Sequence, residues 1–227
     1  MGKVARLEPD VFRKIAAGEV IERPLSVVKE LVENALDAGA SRISVRLEDA
    51  GKRLIEVEDD GEGFCVEDIP LAFEHHATSK IRQLDDFDRL WTFGFRGEAL
   101  PSIREVARLH LATASGTQGQ GWQVRWDEGR VVEEGPVARP RGTTLRVEDL
   151  FYNLPVRRKF LKSDRTEVAQ VSGFLEQMAM AFPQVTWLMQ HQGRTLMRLG
   201  AVPTLQERLF QIWGGDVLEQ LLPLSWE

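Results

Sequence analysis

The stretch Pro24-Leu-Ser-Val-Val-Lys-Glu-Leu-Val-Glu-Asn-Ala-Leu-Asp-Ala-Gly39, with the run to Asp59-Asp-Gly-Glu-Gly63 behind it, decides the fold. A proline suited to a first helical turn and a glycine suited to a C-cap bound a predicted helix. At about 100° per residue, Val27, Val28, Leu31, Val32, Ala35 and Leu36 make one apolar face. Glu30, Asn34 and Asp37, at i, i+4 and i+7, fall within an arc of about 60° on the other side. Two strand-like runs follow, Arg42–Glu48 and Arg53–Glu58, joined through Asp49-Ala-Gly-Lys52 as a hairpin. Ile43, Val45 and Leu47, then Ile55 and Val57, alternate with polar residues, so each strand buries one face. Taken singly, these features read as a solvated helix face and an acidic turn.

Outward from this centre, Val11–Ala17 fits one short helix face, and Val66–Ala77 places Ile69, Leu71, Ala72 and Phe73 in a short helix. Residues 78–97 combine Thr78-Ser79-Lys80, three aspartates and Gly94-Phe-Arg-Gly97, the composition of a mobile connection such as a lid. A helix is predicted over Glu98–Val106, then strands at Arg108–Ala114, Trp122–Trp126, Arg130–Glu134 and Thr143–Val147. A helix from Thr166 to Ala181, strands Val185–His191 and Thr195–Leu199, and a helix over Ala201–Trp213 follow. Strands in consecutive groups predict an α+β sandwich with a mixed, mainly antiparallel sheet and helices on one face only.

Several site types are excluded by wording. No Gly-x-x-x-x-Gly-Lys-[Ser/Thr] occurs, so this is not a P-loop enzyme. Gly61-Glu-Gly63 lacks the third glycine of a dinucleotide fingerprint, and Asp59-Asp60-Gly61-Glu62 lacks the alternating ligands of a calcium loop. His75 and His76 are adjacent, poor spacing for two ligands on one helix face. The single cysteine, Cys65, excludes an intramolecular disulfide and reads as a small buried hydrophobe.

A helix with Glu-x-x-x-Asn-x-x-Asp, a hairpin, then Asp-x-Gly-x-Gly resembles the nucleotide site of the GHKL (Bergerat-type) ATPases: gyrase-B subunits, heat-shock chaperones, histidine kinases and MutL mismatch-repair proteins. Ile15-Ala-Ala-Gly-Glu-Val-Ile-Glu-Arg-Pro24, His76-Ala-Thr-Ser-Lys80 and Gly94-Phe-Arg-Gly-Glu-Ala-Leu100 are similar to the MutL wording rather than that of chaperones or topoisomerases. The resemblance implies a two-layer GHKL sandwich over 1–200, with an N-terminal arm (1–23) that crosses to a second subunit when ATP is bound and an ATP lid (78–97). It implies that 201–227 begin a truncated second, transducer domain.

The resemblance also implies ATP and Mg²⁺ as cofactors and assigns roles to residues of this chain. Asn34 is the metal residue, whose amide oxygen suits a hard cation that keeps few protein ligands. Glu30, one turn earlier, orients and deprotonates the attacking water, and Asp37 supports the site. Asp59 reads the adenine amino group, Gly61 and Gly63 let the backbone approach the ring, and Thr143 joins the same network. Thr78, Ser79 and Lys80 form the lid beside the phosphate cradle of Gly94, Phe95, Arg96, Gly97, Glu98, Ala99 and Leu100. The glycine-flanked entry to a helix there supplies free N–H groups and a positive dipole end. One departure is Asp60, where MutL proteins often have Asn; the expectation is added negative charge near the adenine pocket.

Composition bounds the remainder. At 227 residues, 43% hydrophobic and 28% charged, the chain suits one large globular domain, or one domain plus a fragment. The formal charge of −6 argues against nucleic acid, but Arg139–Arg165 carries eight basic residues against three acidic ones, leaving +5 there and −11 elsewhere. Either this is a solvated basic loop, or Arg157, Arg158, Lys159 and Lys162 track DNA phosphates. No apolar signal core opens the chain, no apolar run is long enough for a bilayer, and a cytoplasmic location without membrane association is expected. The expected activity is that of a Mg-dependent ATPase turning over weakly in this fragment. In the whole protein, a nucleotide-driven clamp would couple mismatch recognition to downstream repair proteins, with ATP-driven self-dimerisation. The alternative is a nucleotide- or DNA-binding module silent in isolation.

Overall fold

Strand alternation builds a sheet with one dry face and one wet face. The structure, a computed structural model, describes residues 8–78, 80, 92–94, 97–116, 119–218 and 220. Helices α1 (Pro9–Val20) and α2 (Pro24–Asp37) precede strands β1 (Arg42–Glu48) and β2 (Leu54–Asp59). Then come α3 (Ile69–Ala72), α4 (Ala99–Val106), β3 (Arg108–Ala114), β4 (Gln120–Asp127), β5 (Arg130–Ala138) and β6 (Gly142–Glu148). Helices α5 (Pro155–Lys159) and α6 (Asp164–Ala181), strands β7 (Thr186–His191) and β8 (Arg194–Leu199), and helices α7 (Leu205–Trp213) and α8 (Gly215–Leu218) complete the described chain.

The described strands form one sheet in the order β5-β4-β3-β6-β2-β1-β7-β8. Every neighbouring pair is antiparallel except β1 and β7, which run parallel. Register makes the two faces explicit. Val124, Leu111, Leu145, Val57, Val45 and Met189 lie opposite one another across six strands, and all are buried. One residue along, the aligned side chains are Arg125, His110, Arg146, Glu56, Arg46 and Gln190, none of them buried. Because successive strand residues point to opposite faces, a one-residue slip would exchange these two rows, so the register is strongly specified.

The apolar faces of α2 and α6 cover the dry side through Val27, Val28, Leu31, Val32 and Ala35, and Val171, Leu175 and Ala179. Polar order on the other side comes from Glu56. Arg46 grips it as a fork at 2.9 and 3.0 Å, and Arg146 donates to it from the next strand. Burial pushes the Glu56 carboxyl up, but the bonds from Arg46 and Arg146 outweigh it and hold the group low. At the far end, Arg208 is fully buried and donates to the Pro183 and Val185 carbonyls, each at 2.7 Å, which fastens α7 to the end of α6 and the start of β7.

The mixed, mainly antiparallel α+β sandwich is the one expected. Local differences have physical causes. The helix predicted over Val66–Ala77 shrinks to a 3-10 turn and the four residues of α3, since Phe73 turns inward to stack on Trp126 at 4.3 Å. Strand β5 runs on to Ala138 through Gly135 and Pro136, which an edge strand tolerates because one side of its ladder is unpaired. Cys65, expected to be buried, is exposed, with Sγ 3.8 Å from the Ser115 hydroxyl. It lies in the irregular link after β2, where no alternation sets a face.

Gly142 opens β6 at φ +124, and a Cβ there would run into the Asp59 carbonyl oxygen. Gly142→Ala is therefore expected to cost more than about 2 kcal/mol. Gly39→Ala, at φ +69 with open space around it, is expected to cost only about 1 kcal/mol. Urea unfolding of the two variants checks the difference.

Candidate functional site

The polar face of α2 and the end of β2 bring the candidate residues together. With one side of α2 committed to the core, Glu30, Asn34 and Asp37 project from the other, all partly buried. The Lys80 ammonium lies between Asn34 and Asp37, donating to Asn34 Oδ1 at 3.1 Å and pairing with the Asp37 carboxylate. Asp37 also accepts from the backbone N–H of Phe93 at 3.1 Å and of Gly94 at 3.5 Å. One aspartate thus ties down Lys80, Phe93 and Gly94 of the 78–97 segment; residues 81–91, with Ser79, Phe95 and Arg96, the rest of the expected lid and cradle set, lie outside the described residues. The same cluster acts on Glu33. Burial pushes its carboxyl up, and the charges of Glu30 and Asp37 add to this while Lys29 and Lys80 oppose it.

Asp59 closes β2 opposite Thr143 of β6, which in turn lies opposite Thr113 of β3. Its carboxylate accepts from the Gly61 N–H at 2.8 Å and from the Thr143 N–H. Burial nonetheless pushes its pKa up to about 6, against the pull of those two donors and of Arg139, while Asp60 adds to the rise. Thr113 is 1% exposed; its hydroxyl accepts from the Phe64 N–H at 2.9 Å and lies 3.2 Å from both the Thr143 hydroxyl and the Gly142 carbonyl oxygen. The link through Gly61 and Gly63 is therefore sewn to three strands. Thr113 escapes notice in sequence, yet it carries a signal: it falls in register with Leu109 and Leu111, a polar residue at a core position.

Asp60 adds negative charge beside Asp59, as expected, but its side chain is turned to the start of β1. Its carboxylate accepts from the Ser41 and Arg42 N–H groups at 2.7 and 2.8 Å and from the Ser41 hydroxyl at 2.6 Å. Burial raises its pKa, but these donors prevail and hold it below the usual range. Asp60 thereby anchors the start of β1, and only its charge reaches Asp59.

At the other flank, Glu98 precedes α4, with Ala99 and Leu100 as its first turn and Gly97 packed against Ala77. The Glu98 carboxylate faces both imidazoles, 2.8 Å from His75 Nδ1 and 2.6 Å from His76 Nδ1, so it positions the 75–78 turn, including Thr78, beside α4. Among the described residues there is no cluster of three or more His, Cys, Asp or Glu side chains able to hold a metal.

The basic segment divides. Arg157 turns inward: its guanidinium lies 3.5 Å from the Ile21 carbonyl oxygen, and it meets the Phe151 ring at 6.0 Å. It crosses Gly18 so closely that a Cβ there would stand 2.9 Å from Cζ. Arg158, Lys159 and Lys162 are exposed. Sequence grouped the four together because no helix was foreseen over Pro155–Lys159, and only the helical turn separates their directions.

Residues 19–148 match the family model of the histidine kinase-, DNA gyrase B-, and HSP90-like ATPases. The chain is 48% identical to the DNA mismatch repair protein MutL of Opitutus terrae over 225 residues, covering 99% of this chain and 36% of that protein. It is 44% identical to the MutL of Koribacter versatilis, covering 99% of this chain and 35% of that protein. The chain thus spans about a third of the length of these relatives. Among solved structures, the Aquifex aeolicus MutL ATPase domain complexed with ADP is similar at a TM-score of 0.70 and 34% identity, covering 86% of this chain and 70% of that one.

The position of Asp59 gives a pH signature. Its carboxyl holds a proton up to about pH 6 in the folded chain, but only to about 4 when unfolded. The folded state binds the extra proton between those values, so this group's contribution to stability falls as pH rises from about 4 to 6 and is level above. Asp59→Asn lacks that decline. The urea midpoint of the variant should therefore gain on the parent between about pH 4.5 and 6.5, with no further gain at higher pH.

Proposed function

Because the chain belongs to the MutL branch of the histidine kinase-, DNA gyrase B- and HSP90-like ATPases, we propose that this site binds ATP and hydrolyses it with Glu30 as general base. The observation that carries the reading is the Lys80 ammonium on Asn34 and Asp37. A cation already rests against oxygen donors of the helix that carries Glu30 one turn before Asn34.

Those donors also fit Mg²⁺: an amide oxygen and a nearby carboxylate are hard ligands, few in number, leaving room for water and phosphate. Asn34 would hold the ion, whose charge would offset the negative charge of the phosphates. The chain's own residues do the rest. Asp59, accepting two backbone N–H bonds, has acceptor capacity left for the adenine amino group. Lys80 supplies a positive charge for phosphate oxygens once it leaves Asp37. Gly97–Leu100 would present N–H groups at the start of α4, and Gly94 would add its own once released from Asp37. Glu30 lines up water behind the γ-phosphorus and takes its proton.

The whole protein's work is part of the same proposal: a nucleotide-driven clamp in DNA mismatch repair, self-dimerising through the N-terminal arm and coupling mismatch recognition to later steps. Its setting would be cytoplasmic; no helix among the described residues is long and apolar enough to cross a membrane. Helix α1 of the arm packs on α4, so arm and phosphate cradle share a boundary. Residues 1–200 would form the ATPase domain and 201–227 the beginning of a second one that completes the site. Turnover by this chain alone would then be weak. DNA phosphates would meet Arg158, Lys159 and Lys162, whereas Arg157 holds α1.

Two outcomes test this. Glu30→Ala should abolish single-turnover hydrolysis, by at least about a hundredfold, while calorimetric affinity for a non-hydrolysable ATP analogue stays within about threefold. Loss of both together would count against the role. Charge reversal at Arg158, Lys159 and Lys162 should lower DNA affinity and flatten its dependence on salt. An unchanged salt slope would leave these residues as surface charge.

A further inference from the structure

We propose that Arg139 is a positioning residue for the nucleotide site: fixed behind the sheet, its guanidinium keeps Asp59 in the ionised form that accepts the base's amino hydrogen. This rests on the nucleotide reading above and adds to it a group that never touches nucleotide.

The geometry is that of a built position. The Arg139 N–H donates to the Gly119 carbonyl at 3.1 Å, so the backbone is held across the sheet end. Its guanidinium donates to the carbonyl of Ala112 and, through Nε at 3.1 Å, to that of Pro140. Gly121 makes way for it, since a Cβ there would stand 2.8 Å from Arg139 Cγ. The cleft it enters is lined by Glu58, His110, Ala112, Pro140, Thr144 and Arg146. Each β2, β3 and β6 residue in that set next to the site row precedes or follows one of its members: Glu58 adjoins Asp59, Ala112 adjoins Thr113, and Thr144 adjoins Thr143. Since neighbouring strand residues point to opposite faces, Arg139 stands on the open face behind Asp59.

Electrostatics follow the geometry. Asp59 is faced by the Gly61 and Thr143 N–H groups, by the charge of Asp60 beside it, and by Arg139 from behind. Of these, Arg139 is the one cationic side chain that acts on it. Asp60 is occupied with Ser41 and Arg42, and Arg146 in the same cleft is paired with Glu56. Glu58, exposed on β2, faces Arg139 and shares its charge. Half-burial of the guanidinium weakens screening by water, so its charge reaches farther than an exposed arginine's would. An Asp59 that took up a proton would lose an acceptor lone pair where the adenine amino group must be received.

The test compares the parent chain with Arg139→Gln and Arg139→Lys. Asp59 is titrated by carboxyl carbon NMR without nucleotide, and ADP affinity is measured calorimetrically from pH 5.5 to 8. The glutamine variant should raise the Asp59 midpoint by about one unit and cost about tenfold more ADP affinity at pH 6 than at pH 8. Lysine, which keeps the charge, should restore both. An unmoved midpoint in the glutamine variant overturns the proposal, as does a lysine variant that behaves like glutamine, which would mark a structural role through the carbonyl bonds. A raised midpoint with pH-independent ADP affinity overturns Arg139's role alone. Failure of the parent to bind ADP overturns the nucleotide reading and this role with it.

Discussion

A carboxylate at the end of a central strand, stripped of most of its water, is the constraint around which this sheet end is organised. Asp59 keeps two backbone N–H donors and little else, and burial still leaves it much harder to ionise than an ordinary aspartate. The surrounding choices follow. Gly142 has no side chain because the Asp59 carbonyl occupies that space. Thr113 spends its hydroxyl on the Phe64 N–H and on the Thr143 and Gly142 oxygens, so the link carrying Gly61 and Gly63 cannot drift from the strands. Asp60, next along, is diverted to the start of β1 rather than left to face its neighbour. Such a site is held in place before any ligand arrives, which spares a nucleotide the ordering cost of assembling it.

Helix α2 works by a second rule, the division of one helix into two faces. The residues that seal the core and those that project from the other side alternate at the helical period. Any rotation improving one face would spoil the other. Val27, Val28, Leu31, Val32 and Ala35 are buried to 5% exposure or less, so the orientation of Glu30, Asn34 and Asp37 is set by packing rather than by a ligand. Asp37 then extends that order to the 78–97 segment through Lys80, Phe93 and Gly94. These three residues are held by a side chain whose place was fixed by the hydrophobic core.

These two rules explain which parts were legible in the sequence. Helical and strand periods in α2, β1, β2 and β3 are long and regular, and burial falls on the residues the pattern marks: Ile43, Val45 and Leu47, then Ile55 and Val57. The motif spacing around them identified the family. Direction within irregular segments was not legible. Cys65 and Asp60 both lie in links where no repeat sets a face: Cys65 is exposed where burial was expected, and the anchoring of Asp60 to Ser41 and Arg42 left no signal beforehand. Arg157 and Arg158 are adjacent in sequence and divergent in space because a five-residue helix intervenes, too short to leave a periodic signal. Arg139 was counted only as one charge among eight basic residues. Its meaning depends on the strand order that brings β3, β4 and β6 together, which no local pattern reports.

A site built on strands necessarily has two sides, and the second side is not inert. For every residue of β2, β3 and β6 that faces the helix layer, the adjoining residue faces the open side only one backbone away. The open row here is charged throughout its middle, with Arg146, Glu56 and Arg46 holding one another in place. By the proposal above, a substitution of Arg139 on that face would leave each contact of the nucleotide pocket intact yet change the field in which Asp59 ionises. In a poorly solvated sheet, that field is weakly screened. Affinity can therefore be adjusted from behind without disturbing the shape of the pocket, because the groups that define shape and the groups that set charge are on opposite faces of the same three strands.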